Sequence, residues 1–278
     1  MGLLSFLYNL YLRLFSLGLG LLLYIGGWKR RVIAQNRRLC GSTSPFLRLR
    51  LCFHAAHDFG RLLHGVYGQP IQVRSRDLPK LKFLKHFPSL FLTAHFHHWE
   101  LLGAWMIREG IPLVCAARPM AFPPAQRLLT FLRRRMRLPV VEQGIPRRAV
   151  RHLEQGGCFA LLWDQRVSQS EVGAPLFGIP LAMDPLPPFL NAHGHPRIWF
   201  GVLLPSGTFR LLLLSPASRL HPLSPDRLAR RYHRVLEILI RRHPSWWYGM
   251  AHRRFRDALA GVSESDRAGG WSPKPSRE

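Results

Sequence analysis

The stretch SLFLTAHFHHWE, residues 89–100, is the best starting point for predicting the fold, because it joins an apolar run to a polar and aromatic cluster. The run from Ser89 to Ala94 has the length of a buried β-strand. The next segment, Glu100 to Glu109, reads as a helix that Gly110 closes. The sequence therefore predicts a strand followed by a helix, with the polar cluster between them.

Strands and helices continue to alternate towards the C-terminus, which predicts an α/β fold with a mixed, mostly parallel central sheet flanked by helices. A Pro-Ser-Gly-Thr turn predicts a hairpin, and a serine with a following proline predicts the start of a late helix. The predicted strands are Ile111 to Ala117, Leu138 to Val141, Cys158 to Trp163, Ile198 to Leu204 and Phe209 to Leu214; the predicted helices are Pro123 to Arg137, Arg147 to Gln155 and Ser224 to about Arg242.

The composition excludes both simple disorder and an ordinary neutral enzyme. The 278 residues carry 40 basic against 15 acidic side chains, a formal charge of +25, while 47% are hydrophobic. Only 5 of the basic residues are lysine, and arginine grips phosphate bidentately, although codon bias could produce the same skew. The charge favours polyanionic partners: nucleic acid, anionic lipid or an acidic protein. The four cysteines lack a C-x-x-C spacing and are expected to be reduced.

Residues 1–28 are almost continuously apolar, with Arg13 as their one charged side chain, and Lys29, Arg30 and Arg31 follow. This length predicts a membrane anchor that spans the bilayer, and the positive charges that follow it predict that the rest of the chain lies on the cytoplasmic side. An amphipathic helix lying in the membrane interface is the alternative. We thus expect an anchor at 1–28, one folded domain at 29–262 and a disordered tail at 263–278.

The polar cluster contains candidate catalytic residues. His95 and Glu100 are five positions apart, the H-x-x-x-x-E pattern of glycerolipid-type acyltransferases. A histidine can take a proton from a lipid hydroxyl while a carboxylate fixes its tautomer. The neighbouring His97 and His98 also raise the possibility of a metal site or of purely structural histidines. Because no H-E-x-x-H or Cys/His framework accompanies them, we expect no metal.

The surroundings of this cluster resemble the late lauroyl and myristoyl acyltransferase family of lipid A biosynthesis, within the lysophospholipid acyltransferase superfamily. AHFHHWE is similar to the family's G-H-x-G-N-W-E block, and further blocks follow in family order. These are Ala117-Arg118-Pro119, a helix carrying Arg133, Leu153 to Gly157 leading to Asp164-Gln165, Ala174 to Pro180, and Pro244 to Phe255.

The resemblance implies a membrane-anchored O-acyltransferase that needs no cofactor. Its donor would be acyl carrier protein, which is acidic, and its acceptor a phosphorylated glycolipid precursor of lipid A. His95 would be the general base and Glu100 the carboxylate that orients it, with Arg133 and Asp164 as supporting catalytic residues. The expected substrate-binding residues are Arg118, His98 and Gln165.

Departures from the family pattern leave other acceptors open. His97 and His98 replace a glycine and an asparagine, which could narrow the cleft, so a lysophospholipid or another glycolipid is the alternative acceptor. A catalytically inactive, lipid-binding relative is also possible. The charge alone would allow a nucleic-acid-binding protein, but no nucleic-acid motif accompanies it, so we expect no nucleic-acid partner.

Overall fold

The structure is a computed structural model that describes residues 3–65, 73–165, 167, 170–218, 222–253 and 255. The expected disordered tail at 263–278 and the domain end at 262 lie outside these residues. The helices are α1 (Leu3–Ile25), α2 (Arg30–Leu39), α3 (Leu47–Gly65), α4 (Leu81–His86), α5 (Trp99–Arg108), α6 (Pro123–Arg135), α7 (Ile145–Glu154), α8 (Leu186–Gly194) and α9 (Pro225–Arg242). The strands are β1 (Ser89–Thr93), β2 (Leu113–Ala116), β3 (Val140–Val141), β4 (Cys158–Leu162), β5 (Gly173–Leu176), β6 (Ile179–Ala182), β7 (Arg197–Leu203) and β8 (Phe209–Ser215).

The central sheet has the strand order β3-β2-β4-β1-β7-β8. The pairs from β3 to β7 are parallel, and β7 and β8 form the antiparallel hairpin. Every residue of β1 is buried, because helices cover both faces of the sheet. The prediction of a mixed, mostly parallel sheet flanked by helices is therefore confirmed.

The pairing of β1 with β4 determines where the site lies. Thr93 pairs with Leu162 at the last position of both strands. Since the strands are parallel, the residues that follow them leave the sheet at the same edge, where α/β proteins place their ligands. His95 and Asp164 each come two positions after these paired ends, so the topology brings them together.

The N-terminal helix α1 lies along α3. Leu12 is buried, and a Cβ atom added at Gly20 or Gly60 would meet Phe53 or Leu12 at less than 3 Å. These glycines therefore let the two helices approach closely. The opposite face of α1 is apolar and exposed, and includes Leu7, Leu10, Tyr11, Leu14, Leu17, Leu21, Leu22 and Ile25. The segment Leu7–Ile25 is long and apolar enough to cross a membrane, which makes α1 a candidate anchor.

Several element boundaries differ from the predicted ones. The strand expected from Leu138 is only two residues long, and α7 begins at Ile145 because Pro146 can occupy the first turn of a helix. Ser224 stands at the N-cap of α9 as predicted, but its side chain makes no capping hydrogen bond. The patterns did not predict α2, α3, α8 or the separate β5–β6 hairpin.

Candidate active site

His95 is held by a buried carboxylate on two sides. Its Nδ1 atom lies 2.7 Å from Oδ1 of Asp164, and its backbone N–H donates to Oδ2 at 2.9 Å. Asp164 is only 3% exposed, and Nε1 of Trp247 also donates to its Oδ2 at 2.8 Å. An ionised carboxylate only accepts hydrogen bonds, so the proton of the neutral imidazole sits on Nδ1. This leaves the Nε2 atom of His95 unprotonated, with a lone pair that can accept a proton, as a general base requires.

That Nε2 atom lies at a cleft. The side-chain amide nitrogen of Gln165 is 3.1 Å from it, in place to donate a hydrogen bond to the lone pair. Both residues line a cleft of about 580 Å³ at the carboxyl end of the sheet. Most of the cleft wall is apolar, with contributions from Trp28, Leu62, Leu128, Leu129, Leu132, Ile145, Leu161 and Leu162. The reactive nitrogen thus faces a space suited to an apolar chain.

The second carboxylate of the pattern, Glu100, is paired with Arg133. Two hydrogen bonds join them, from Nη2 to Oε1 at 2.6 Å and from Nε to Oε2 at 3.2 Å. Burial opposes the charge of Arg133, but the hydrogen bonds and charge of Glu100 outweigh it and raise the pKa of the guanidinium above its ordinary value. The pair forms a rigid, largely buried link between the start of α5 and the end of α6.

The expected contact between His95 and Glu100 is therefore corrected. Asp164, expected as a supporting residue, occupies the orienting position on Nδ1. The reason lies in the backbone: His98 adopts a left-handed conformation and α5 begins at Trp99, so Glu100 sits in the first turn of the helix and reaches Arg133 on α6. Glu100 and Arg133 both still line the cleft.

The structure brings the predicted substrate-binding residues to the same cleft. Arg118 stands at its rim with 63% of the side chain exposed and forms an ion pair with Asp184 at 3.0 Å. Gln165 contacts His95, and His98 lies in the wall. All seven predicted residues thus fall in one region, with Asp164 directly behind His95.

A smaller apolar cavity of about 40 Å³ shares residues with the cleft, among them Trp99, Glu100 and Arg133. It extends between α5 and the sheet, where Gly103, Cys115 and Leu138 line it. Burial raises the pKa of the Cys115 thiol to about 12, with Glu100 as a further cause. The thiol is therefore protonated at neutral pH and is no nucleophile, so the cavity is an apolar extension of the cleft.

A cluster of histidines around Asp58 forms another part of the wall. The Oδ1 atom of Asp58 is 2.9 Å from Nδ1 of His98, 3.1 Å from Nδ1 of His97 and 3.6 Å from Nδ1 of His57. Its Oδ2 atom accepts from the His98 backbone N–H at 2.9 Å and from the Tyr248 hydroxyl at 2.8 Å. This arrangement brings three imidazoles and one carboxylate to a single point, as some metal sites do.

The pKa values of the groups in this cluster shift in different directions. Burial alone would raise the pKa of Asp58, but the charge of His98 and the close approach of three imidazoles hold it well below its ordinary value. Burial lowers the pKa of His97 below that of a free imidazole. Burial and the carboxylate of Asp58 raise the pKa of Tyr248 well above its ordinary value. Asp58 is therefore an ionised, buried acceptor.

The sequence did not predict Asp58, His57, Trp247 or Tyr248 as site residues. Trp247 and Tyr248 lie in the last block of the family resemblance, which was the available signal. The His57-Asp58 dipeptide on α3 lies in no pattern that would have marked it, because its partners His97 and His98 are about forty positions away.

A histidine whose Nδ1 atom contacts a buried carboxylate, beside an apolar cleft, is an arrangement that general-base sites use. The model of the bacterial lipid A biosynthesis acyltransferase family matches residues 80–257, well over half of the sequence. The chain therefore belongs to this family. The family resemblance in the sequence is thus confirmed, and membership implies an acyltransferase. A comparison with curated proteins gives no match.

Proposed function

We propose that this protein transfers a fatty acyl chain from acyl carrier protein to a hydroxyl of a lipid A precursor, on the cytoplasmic side of the inner membrane. The observation that carries this proposal is the hydrogen bond between Asp164 and Nδ1 of His95, which turns Nε2 into a base beside an apolar cleft. Family membership supports the reaction class.

The chemistry follows from this geometry. The acceptor hydroxyl displaces the Gln165 amide from Nε2 of His95 and gives its proton to that nitrogen. The alkoxide oxygen attacks the thioester carbonyl, and the tetrahedral intermediate expels the phosphopantetheine thiolate as the C–S bond breaks. The thiolate then takes the proton back from His95. Asp164 stabilises the imidazolium that exists between the two transfers.

We assign Arg133 the role of stabilising the negative charge that develops on the thioester oxygen. It lines the cleft, and a guanidinium is always charged at physiological pH. Glu100 then acts as a positioning residue, because its bidentate contact holds the guanidinium in one orientation. Preorganised donors of this kind stabilise an oxyanion without reorganisation cost.

Exposed arginines near the cleft suit both expected substrates. Arg127, Arg134 and Arg135 are exposed on α6, whose Leu128, Leu129 and Leu132 line the cleft, and Arg118 stands at the rim. An acidic carrier protein or a phosphorylated glycolipid would be attracted to this border. The same charge would bind anionic lipid headgroups at about 1 kcal/mol for each arginine near the surface.

We further propose that α1 lies in the membrane interface instead of spanning it. Its contacts with α3 run from Gly20 near one end to Tyr8 near the other, where Arg61 donates to the tyrosine hydroxyl at 3.3 Å. The same α3 carries Asp58 to the cleft. Arg13 is exposed near the middle of α1, where a spanning helix would place it near the bilayer centre at a cost of about 3 kcal/mol.

The function is tested with the full chain purified in detergent, labelled acyl carrier protein and a lipid A precursor. We expect His95→Ala and Asp164→Ala to abolish acyl transfer, while His193→Asn, a change of an exposed histidine on α8, leaves it intact. If the His95 variant kept most of the activity, the proposed mechanism would be wrong.

The acceptor has its own test, because His97 and His98 stand where the family has smaller residues. Mass spectrometry of lipids from cells with and without the protein identifies the acylated product. An unchanged lipid A profile, with a change in another lipid, would favour the alternative of a lysophospholipid or other glycolipid acceptor.

A further inference from the structure

The histidine cluster around Asp58 has more hydrogen-bonding nitrogen atoms than its carboxylate can satisfy. Nδ1 atoms of three imidazoles lie within 3.6 Å of the single oxygen Oδ1, which offers two lone pairs. The other oxygen, Oδ2, is already engaged by the His98 N–H and the Tyr248 hydroxyl. Three nitrogens therefore compete for one acceptor in a largely buried place.

We infer that His57, Asp58 and His98 form a binding site for a divalent first-row transition-metal ion, with zinc as its best match. Their ligand atoms all lie within 4.8 Å of one another. Two imidazole nitrogens and one carboxylate oxygen are the donors that zinc and its neighbours in the first transition row prefer.

Two of the three distances between ligand atoms are close to those of a metal coordination shell. Metal–ligand bonds of about 2.0 to 2.1 Å in a tetrahedron place neighbouring ligand atoms about 3.3 Å apart. The distances from Oδ1 of Asp58 to Nδ1 of His98 and of His57 are 2.9 and 3.6 Å, one on each side of that value. Small side-chain rotations would therefore bring the three ligands onto one ion.

The proposed ligand nitrogens are unsatisfied otherwise. In the part of the chain that the structure describes, Nδ1 of His57 and Nδ1 of His98 are buried and have no hydrogen-bond partner. His98 as a whole is only 8% exposed. A buried, unpaired polar atom costs free energy that a bond to a cation would recover. Both atoms lie close to the same carboxylate oxygen, at 3.6 and 2.9 Å, so one ion could bind both.

Neighbouring residues supply the outer contacts that metal sites need. His97 hydrogen-bonds to Oδ1 of Asp58 at 3.1 Å, and the Tyr248 hydroxyl donates to Oδ2 at 2.8 Å. Such contacts fix the orientation of a ligating carboxylate, and their loss typically weakens metal binding by about 10- to 100-fold. His97 and Tyr248 are therefore assigned as positioning residues for the metal.

The site would leave a position free for a further ligand. Three protein ligands account for three of the four positions of tetrahedral zinc, and the fourth is usually a water or a substrate oxygen. Asp58 and His98 both line the cleft that contains His95. An ion held there would place positive charge on the cleft wall, where an anionic oxygen such as that of a phosphate ester could complete its shell.

The backbone at His98 also indicates a function for this side chain. Its φ and ψ angles are 52° and 31°, in the left-handed region that glycine and asparagine adopt more readily. A histidine in this conformation is less favourable than those residues unless its side chain makes a compensating contact. The exchange His98→Asn should therefore preserve the fold while removing the ligand.

The test measures metal stoichiometry, so it is independent of acyl transfer. The tag-free full chain in detergent is first treated with a chelator, then loaded with Zn²⁺ and separated from excess metal. Inductively coupled plasma mass spectrometry then measures the bound zinc per chain. We expect about one ion per chain, and less than about 0.2 in His98→Asn and in His57→Asn. His193→Asn, the matched control on α8, should bind like the original chain. Circular dichroism verifies that each variant is folded.

Cobalt substitution provides a second readout. Co²⁺ in a four-coordinate site of nitrogen and oxygen ligands gives intense visible absorption bands, which His98→Asn should abolish and His97→Asn should retain at higher cobalt concentration. If the folded chain takes up no zinc or cobalt, or if His57→Asn and His98→Asn bind as much as the original, the proposal is overturned and the cluster is a proton-sharing network only.

Discussion

The Nδ1 atom of His95 lies 2.7 Å from Oδ1 of Asp164, although 69 positions separate the two residues in the sequence. The sheet creates this contact, because β1 and β4 are adjacent, parallel and in register at their carboxyl ends. Trp247 adds a third hydrogen bond to the same carboxylate from the C-terminal part of the chain. The base thus depends on three distant segments, and each can be tested separately.

The first prediction concerns the tautomer of His95. In Asp164→Asn the side-chain amide can donate to Nδ1, which moves the imidazole proton to Nε2 and blocks the base. We expect the turnover rate to fall by about 10³- to 10⁴-fold, as in other histidine–carboxylate pairs, with little change in KM. Steady-state kinetics measure this, and Asp226→Asn, an exposed acidic residue in the first turn of α9, is the matched control. A loss below about tenfold would contradict the role assigned to Asp164.

The second prediction concerns the Glu100–Arg133 pair. Each side chain is largely buried, so removing one partner leaves the other charge uncompensated. We expect Glu100→Leu to lower the free energy of unfolding by about 2 to 4 kcal/mol, and the double variant with Arg133→Leu to lose less than the two single changes together. Thermal and denaturant unfolding measure the cycle.

Measurements of the turnover rate distinguish a catalytic role of Arg133 from a purely structural one. If Arg133 stabilises the oxyanion, Arg133→Lys keeps a positive charge but loses the bidentate contact, and the turnover rate should fall by about 10²- to 10³-fold. If Arg133→Leu, which removes the charge, folds normally and retains full turnover, Arg133 has no part in the reaction.

Local patterns were sufficient for the sheet and most helices around it. The run from Ser89 and the one from Cys158 are apolar over the length of a strand, and their structural starts match the predicted ones. The orienting carboxylate could not be predicted in the same way, because it depends on which strands are neighbours. Glu100 was misassigned since the left-handed His98 sets the start of α5, which spacing alone does not reveal.

The cluster at Asp58 was also beyond a local pattern. Asp58 lies on α3, a helix that the patterns did not predict, and it meets His97 and His98 only through tertiary packing. Long apolar runs and ordered blocks can be recognised in one sequence, whereas contacts between helices require knowledge of how their faces pack.

The third prediction concerns how the free energy of unfolding changes as the pH falls. Asp77 is partly buried, which alone would raise its pKa, but the Lys80 ammonium at 2.6 Å and the Leu211 N–H at 3.2 Å lower it below the ordinary value. A carboxyl group whose pKa is lower in the folded state stabilises the fold above its unfolded pKa of about 3.9, and this stabilisation is lost as the pH falls through the folded value.

We therefore expect Asp77→Asn to be less stable than the original chain near neutral pH and to lose less stability on acidification to about pH 3. Denaturant unfolding across this range measures the difference. Asp226→Asn again serves as the control, because Asp226 is exposed. Parallel pH curves for the original and the Asp77 variant would contradict the assignment.

The fourth prediction concerns the cavity behind the cleft. Leu138 lines it, and its Cδ1 atom lies only 3.0 Å from where a Cβ atom on Gly103 would stand. If the acyl chain enters this cavity, Leu138→Ala should lengthen the space and shift the preference towards a chain one methylene longer by about fourfold in relative kcat/KM, since a buried methylene group contributes roughly 0.8 kcal/mol. Competition between acyl carrier proteins with chains of different length measures the ratio. An unchanged ratio would place the chain elsewhere.

The last prediction concerns the exposed face of α1. Leu14, Leu17 and Leu21 are exposed there, while Leu12 is buried towards α3. A helix lying in the interface binds through its buried apolar area, so changing the three exposed leucines to glutamine should weaken partitioning to anionic vesicles at least 100-fold, at about 1.5 kcal/mol or more for each leucine. Vesicle sedimentation measures this partitioning, with the exposed pair Leu212→Gln and Leu213→Gln on β8 as the control.

A spanning helix would instead remain in the membrane after alkaline carbonate extraction, because all its faces contact lipid or protein within the bilayer. Release of the triple variant by carbonate, with retention of the control, would therefore favour the interfacial arrangement, and retention of both would contradict it.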